Sequence, residues 1–263
     1  MFSVANESRA VIPFVMDLSQ LEELAVKAAH AAGDALSAGT DRTISLLDAS
    51  DVKLKADEDA ERQVREILSA SGLPIIGEEL GGDAALWESK NELYWVVDPI
   101  DGTYNYLRDQ PACCVSIALM RGKEPVIGVI REFAAGNTFL GVVGKGVFVN
   151  GLLVRPAWAN EIAQACLMTG FPAAADKSPE ALAGFLKDVG RFKKIRMIGS
   201  AALAVAYVGV GRADVYYENA TNLWDIAAGL ALVKAGGGVF SVVPTGKKPL
   251  NFNVRAAGRT EWL

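Results

Sequence analysis

A single histidine, His30, occurs in 263 residues, and that scarcity removes whole classes of chemistry. Zinc sites built on paired imidazoles and Ser-His-Asp triads both need a histidine at the reacting centre. His30 instead lies in the Ala-rich helical pattern from Leu21 to Leu36, where a packed or surface ring is expected. Cysteine is nearly as scarce: of three, Cys113 and Cys114 are adjacent and Cys166 is alone, which fits buried cytosolic thiols rather than a disulfide framework. No apolar run is long enough to cross a bilayer, and the acidic and polar N-terminus lacks the basic segment and apolar stretch of a secretory signal. A cytoplasmic chain is therefore expected. The net charge of -5 gives no electrostatic case for nucleic acid or an anionic membrane. Two glycine-containing stretches also fall short. Gly141-Val142-Val143-Gly144-Lys145 lacks the spacing and following hydroxyl of a phosphate-binding loop, and Gly209-Val210-Gly211 lacks the third glycine of a dinucleotide fingerprint.

What the chain does have is an ordinary globular balance, 51% apolar and 22% charged, enough for one large core or two joined ones. It also has carboxylates in telling positions. Trp95-Val96-Val97-Asp98-Pro99-Ile100-Asp101-Gly102-Thr103-Tyr104-Asn105 reads as a buried strand that delivers Asp98 to a sheet edge. Pro99 steers Asp98 away from the α region, so a turn is expected there; Asp101 then faces the same space, and Gly102 permits close backbone approach. Thr103 is expected to cap a short helix. Carboxylates this close raise each other's pKa, whereas helix-start amides attract an anion; a divalent cation bridging acid and phosphate reconciles the two. The alternative is an Asx-capped turn with no chemistry.

The rest of the chain divides in rhythm. Residues 1 to 16 carry no period and are expected to form a loose arm, Asp17 to Leu36 a helix, and Gly39 to Val52 a polar, weakly specified loop. Lys55-Ala56-Asp57 opens a second helix with Ala60, Val64, Ile67 and Leu68 on one face. From Cys113 onward, apolar runs punctuated by turn residues predict an antiparallel meander. Beyond about Leu152 strands and helices alternate: Ala165 to Thr169, Pro179 to Val189, Ile195 to Met197, the helix after Gly199-Ser200, Asp214 to Tyr217, Asp225 to Ala235 and Gly238 to Val243. The expected division is 1-151, N-terminal helices plus an antiparallel sheet, and 152-263, a C-terminal α/β half.

Further acids accompany the central stretch: Ile75-Ile76-Gly77-Glu78-Glu79, Leu223-Trp224-Asp225-Ile226-Ala227-Ala228-Gly229, and Asp57 at a helix start. Together, from Asp51 to Gly258 and in order, these motifs resemble the inositol monophosphatase family, the lithium-sensitive, magnesium-dependent phosphatases. The resemblance implies a fold that is α+β with an α/β second half, a layered α-β-α-β-α sandwich with the active site between the halves. It also implies two or three magnesium ions. Carried over residue by residue, Glu78, Asp98 and the Ile100 carbonyl would hold one ion, and Asp98, Asp101 and Asp225 a second. Thr103, hydrogen-bonded to Asp57, would activate water with help from Glu78. The amides of Gly102 and Thr103 would hold phosphate, while Gly199, Ser200, Ala201 and Glu218 would contact the rest of the substrate. For Asp57 a plain helix cap is the competing reading, and for Glu218 a solvated loop acid.

The implied activity is hydrolysis of a small phosphate monoester like inositol monophosphate. A nucleoside 3′(2′),5′-bisphosphate, a sugar bisphosphate or histidinol phosphate is an alternative substrate, and a regulatory protein-binding module is an alternative role. Lys53-Leu54-Lys55-Ala56-Asp57 departs from the usual Val-Thr-x-x-Asp and would add charge for a second phosphate. Leu46 and Leu47 stand where typical members have a lysine and Ser-Pro, which puts a third metal site in doubt. By the resemblance, the usual closing helix is expected to be missing after Gly258. A homodimer is expected, with Phe133, Phe139, Val142 and Phe148 as a self-complementary patch.

Overall fold

The computed structural model describes residues 16–39, 43–47, 52–171 and 176–263. The chain enters through α1 (Leu18–Ser37), whose start is fixed by a capping box: Asp17 accepts the Gln20 amide at 2.9 Å and the Gln20 side chain returns the bond. Its stripe of Leu21, Ala25, Ala28, Ala29, Ala32 and Leu36 is buried. A hairpin follows, β1 (Ile44–Leu47) antiparallel to β2 (Val52–Leu54), where the sequence suggested only a loop; the ladder is bulged and short, so the run is too brief to show a period. Most of the expected N-terminal arm lies outside the described residues.

Next come α2 (Lys55–Leu68), β3 (Ile75–Gly77), β4 (Leu93–Asp101) and α3 (Thr103–Leu107). The meander is β5 (Cys114–Arg121), β6 (Glu124–Glu132), β7 (Asn137–Val142), β8 (Gly146–Val149) and β9 (Leu152–Val154). These strands form one seven-stranded sheet in the order β3-β4-β5-β6-β7-β8-β9, antiparallel except for the parallel β3–β4 pair. The second half runs β10 (Cys166–Thr169), α4 (Pro179–Val189), β11 (Lys194–Arg196), α5 (Ala201–Gly209), β12 (Val215–Asn222), α6 (Leu223–Ala235), β13 (Val239–Pro244) and β14 (Asn251–Ala257). Its five strands lie in the order β11-β10-β12-β14-β13, parallel around β10 and antiparallel around β14.

Alternation along β4 sorts the core into layers. Trp95 and Val97 point toward α1 and α2, joining Ala28, Leu36, Val64 and Leu68, while Tyr94 and Val96 point the other way into the cluster containing α5 and α6. A third cluster covers the far face of the five-stranded sheet with Phe185 and Val189 of α4. The result is a layered α-β-α-β-α sandwich. Helix α6 is buried almost all round, and it can lie flat on the first sheet because glycines face it. A Cβ at Gly128 would fall 2.1 Å from the Ala228 carbonyl oxygen, and one at Gly141 2.5 Å from Leu232 Cα.

Packing corrects one expectation. Phe133, Phe139 and Val142 are not a surface patch: all are buried, and Phe148 is half-buried. They point inward because the meander is covered on both faces, by α1 on one side and α6 on the other.

Candidate active site

The site forms where β3, β4, α2, α3, α5 and α6 end or begin. β4 does not stop at Asp98 as its sequence suggests but continues to Asp101 through a bulge: Asp98 opposes Ser116 and Asp101 opposes Cys114, three residues against two. In a regular strand two positions three apart face opposite sides of the sheet; the extra residue returns Asp101 to the side of Asp98. Pro99 sits in that bulge, where a missing amide costs no ladder bond. Gly102, not Thr103, is the residue at the helix cap. Its φ of 89° is in the left-handed region, and a Cβ there would lie 2.8 Å from the Ala112 carbonyl oxygen, so only glycine serves.

Glu78 follows β3 directly, and its amide donates to the Val97 carbonyl at 3.2 Å, extending the parallel ladder so that Glu78 comes beside Asp98. Asp225 is the third residue of α6. One of its oxygens accepts the Asn222 amide at 2.8 Å, which holds the carboxylate in place. Carboxylate oxygens of Glu78, Asp98 and Asp225 all lie within 4.8 Å of one another. Asp98 is 1% exposed, and burial, then the charges of Glu78, Asp101, Asp225 and Asp57, hold its pKa well above the ordinary range. Asp225 is raised likewise, by burial first and Asp101 next. Three convergent acids in so small a space are incompatible with three free negative charges unless a cation joins them, and an all-oxygen donor set fits a hard divalent ion such as magnesium. His30 takes no part; its ring nitrogen meets Thr138 Oγ1 at 3.0 Å, between α1 and β7.

The other expected site residues arrange themselves around this trio. Asp57, 2% exposed, caps its own helix by accepting the Leu54 amide at 2.6 Å, and its second oxygen is 3.4 Å from Thr103 Oγ1. That hydroxyl also lies 2.9 Å from the Ile100 carbonyl, and its single hydrogen can serve one acceptor at a time. Asp101 reaches across to the second half, accepting the Ala202 amide at 2.9 Å, the Ala201 amide at 3.3 Å and the Ser200 hydroxyl. Burial pushes its pKa up to about 6, against the lowering effect of those bonds. Gly199, Ser200 and Ala201 are thus drawn to the site, Ser200 as the cap of α5. Glu218, on β12, accepts from the Tyr216 hydroxyl at 3.2 Å, and burial pushes its pKa up to about 7, so it is not a solvated loop acid. Lys55 is exposed at the first turn of α2; the Lys53 side chain lies outside the described residues.

Sequence reasoning missed several supports. Asn105, buried, donates to the Ala112 carbonyl at 2.7 Å and the Ile198 carbonyl at 2.8 Å, tying α3 to the loop before α5. Ser116, opposite Asp98, donates to the Trp224 carbonyl at 3.3 Å and locates the start of α6. Glu61 is fully buried one helical turn after Asp57. Its position four residues on, hence on the same helix face, was the available signal.

Comparison with known proteins agrees with this geometry. The chain is 36% identical over 220 residues to a protein named Nus factor SuhB from Xylella fastidiosa, covering 81% of this chain and 78% of that one. It is 33% identical over 240 residues to an inositol monophosphatase of Mesembryanthemum crystallinum, covering 88% and 87%. The solved structure of inositol monophosphatase from Anabaena (Nostoc) sp. PCC 7120 superposes with a TM-score of 0.79 at 29% identity, over 94% of each chain. The sequence model of the inositol monophosphatase family matches residues 17–262. The chain belongs to the inositol monophosphatase family of metal-dependent phosphoric monoester hydrolases.

Proposed function

We propose that the chain is a magnesium-dependent phosphatase that hydrolyses a small phosphate monoester of the inositol monophosphate kind by attack of water. The observation that carries this reading is the trio Glu78, Asp98 and Asp225, with oxygens within 4.8 Å of one another beside the start of α3. Glu78, Asp98 and the Ile100 carbonyl would hold one ion, and Asp98, Asp101 and Asp225 a second. Asp101 keeps capacity for this while it accepts from α5, since an ionised carboxylate offers about four lone-pair positions. Bound magnesium supplies neutralisation of the charge that develops on the phosphoryl group and the leaving alkoxide.

The chain's own groups do the rest. The amides of Gly102 and Thr103 receive phosphoryl oxygens. The Thr103 hydroxyl turns from the Ile100 carbonyl toward Asp57, accepts a hydrogen bond from the attacking water and relays its proton to the Asp57 carboxylate, with Glu78 assisting. Gly199, Ser200, Ala201 and Glu218 line the alcohol side. Glu218, with a pKa of about 7, can accept from or donate to a ring hydroxyl near neutral pH.

The same reading makes lithium an inhibitor and the protein cytoplasmic, without nucleic-acid or membrane partners. Three cysteines outside any disulfide and the net charge of -5 support that setting. A homodimer is supported by edge strand β9, which exposes Leu152 by 73% and Leu153 by 59%. A dimer mass in light scattering at micromolar concentration is the expected result. Function is tested by phosphate release from inositol 1-phosphate, a nucleoside 3′,5′-bisphosphate, fructose 1,6-bisphosphate and histidinol phosphate. Turnover is expected with magnesium, greatest on inositol 1-phosphate, and depressed by calcium and lithium. Full activity in a chelator would overturn the assignment.

A further inference from the structure

Glu61 is an acid in a place where an apolar residue would cost less. It is fully buried on α2, and burying a carboxylate is expensive unless charge-assisted bonds satisfy it. Those bonds are present, and most go to one turn. One oxygen accepts the Glu79 amide at 2.8 Å; the other accepts the Leu80 amide at 3.2 Å and Arg65 Nε at 2.7 Å. A terminal nitrogen of Arg65 continues to the Gly81 carbonyl at 2.5 Å. The turn is also closed on itself, the Gly77 amide donating to Gly81 at 3.0 Å. A Cβ at Gly77 would lie 2.1 Å from the Glu61 carboxylate, so glycine is what lets the acid reach the amides. Glu61 and Arg65 thus grip Glu79, Leu80 and Gly81, the residues that immediately follow Glu78.

We propose that Glu61, oriented by Arg65, is a positioning residue that sets where the Glu78 carboxylate sits against Asp98 and Asp225, and thereby the affinity for the divalent cation. This rests on the reading of Glu78 as a ligand. The β4 ladder fixes the Glu78 backbone from one side through Val97; Glu61 fixes the chain just beyond it. Helix α2 then carries two acids one turn apart, Asp57 toward the Thr103 hydroxyl and Glu61 toward the Glu78 turn, so one rigid element sets both. A neighbouring pair with the same spacing, Glu58 and Arg62, is exposed by 49% and 62% and touches no part of the turn, which makes it the control.

The test measures Mn²⁺ binding by calorimetry to the full chain stripped of metal, well below its melting temperature, in wild type, Glu61→Gln, Arg65→Met, Glu58→Ala and Glu78→Gln. Supports behind a metal ligand typically contribute a factor of about 10–100 in affinity. Glu61→Gln is expected to weaken binding by about tenfold or more, Arg65→Met by less, and Glu58→Ala not at all. Magnesium titration of phosphate release should show the same rise in the half-maximal concentration, with kcat at saturating magnesium recovering to within about threefold. A merely structural role would lower Tm and leave the binding constant unchanged. Wild-type affinity in both folded Glu61→Gln and folded Arg65→Met, with Glu78→Gln weakened, overturns the proposal alone; wild-type affinity in Glu78→Gln overturns the ligand reading and this proposal together. If Glu61→Gln does not fold, Arg65→Met decides by the same criterion.

Discussion

The starts of α2 and α6 make an instructive pair. Each has an aspartate at its third position, and each aspartate accepts its own cap residue's amide, Asp57 from Leu54 at 2.6 Å and Asp225 from Asn222 at 2.8 Å. The local chemistry is the same ordinary capping contact. What differs is the setting. Helix α2 buries one stripe, Ala56, Ala60, Val64 and Leu68, and leaves its other face in water; α6 is buried over nearly its whole surface between two sheets. The other oxygen of Asp57 lies 3.4 Å from a hydroxyl, while the Asp225 carboxylate lies within 4.8 Å of Glu78 and Asp98. A cap and a functional group are therefore not competing readings of such an acid. The cap aims the carboxylate, and the surrounding fold decides what it meets.

The comparison breaks most visibly in kinetics. Asp225→Asn keeps an acceptor for the Asn222 amide but removes a charge from the cation cluster, so kcat/KM is expected to fall roughly a thousandfold or more, with Mn²⁺ binding weakened by at least tenfold. Metal-free Tm should hold or rise, because repulsion among buried acids is relieved. Asp57→Asn likewise preserves the cap but cannot take a proton from Thr103. A loss of roughly a hundredfold in kcat is expected, with cation binding within about threefold of wild type. Equal losses of cation affinity in the two variants would erase the distinction. Glu218→Gln removes a charge that acts on Asp225 but is not one of the cluster carboxylates; it is expected to cost about tenfold in kcat/KM and to change cation affinity by no more than about threefold, and comparable losses in Glu218→Gln and Asp98→Asn, both folded, would remove the case for the cluster.

Stability against pH sharpens the same contrast more gently. Around α6 the metal-free protein holds Asp101 with a pKa raised to about 6 and Glu218 raised to about 7. A raised acid binds its proton more tightly in the folded state, so it opposes folding by a growing amount as pH rises from its unfolded value, near 4, through its folded value. The penalty is small at pH 4 and complete about one unit above the higher folded value, near pH 8. Metal-free protein should therefore melt roughly 5 °C lower at pH 8 than at pH 5.5, and magnesium should recover more of that difference at pH 8. A Tm independent of pH across this range would mean the acids are not held as described.

Much of the site was legible in the sequence because its key residues punctuate apolar runs. Asp98 ends an apolar strand segment, Glu78 follows another, and Asp57 and Asp225 open helices, so each could be located by type of element. Glu61 was only half legible: its place four residues after Asp57 puts it on the same helix face, but in sequence it also looks like half of an exposed ion pair, as Glu58 with Arg62 is. β14 was not expected either, although Asn251–Ala256 alternates polar and apolar residues as a half-buried strand does; β12 and β13 pair with it on both sides.

What the sequence determined by itself is the set of donors and their local aim: an oxygen-only chemistry in a chain with one histidine, a glycine at the one left-handed position before Thr103, and aspartates at helix starts whose capping bonds depend on the three residues around them. These follow from short-range sterics and hydrogen bonding. Only the tertiary structure decided that the β4 bulge turns Asp98 and Asp101 to the same side, that the Phe133 and Phe139 surface is core, and that Glu61 grips the Glu78 turn. Each of these depends on what a distant strand or helix presents across the gap, and sequence spacing carries no record of that neighbour.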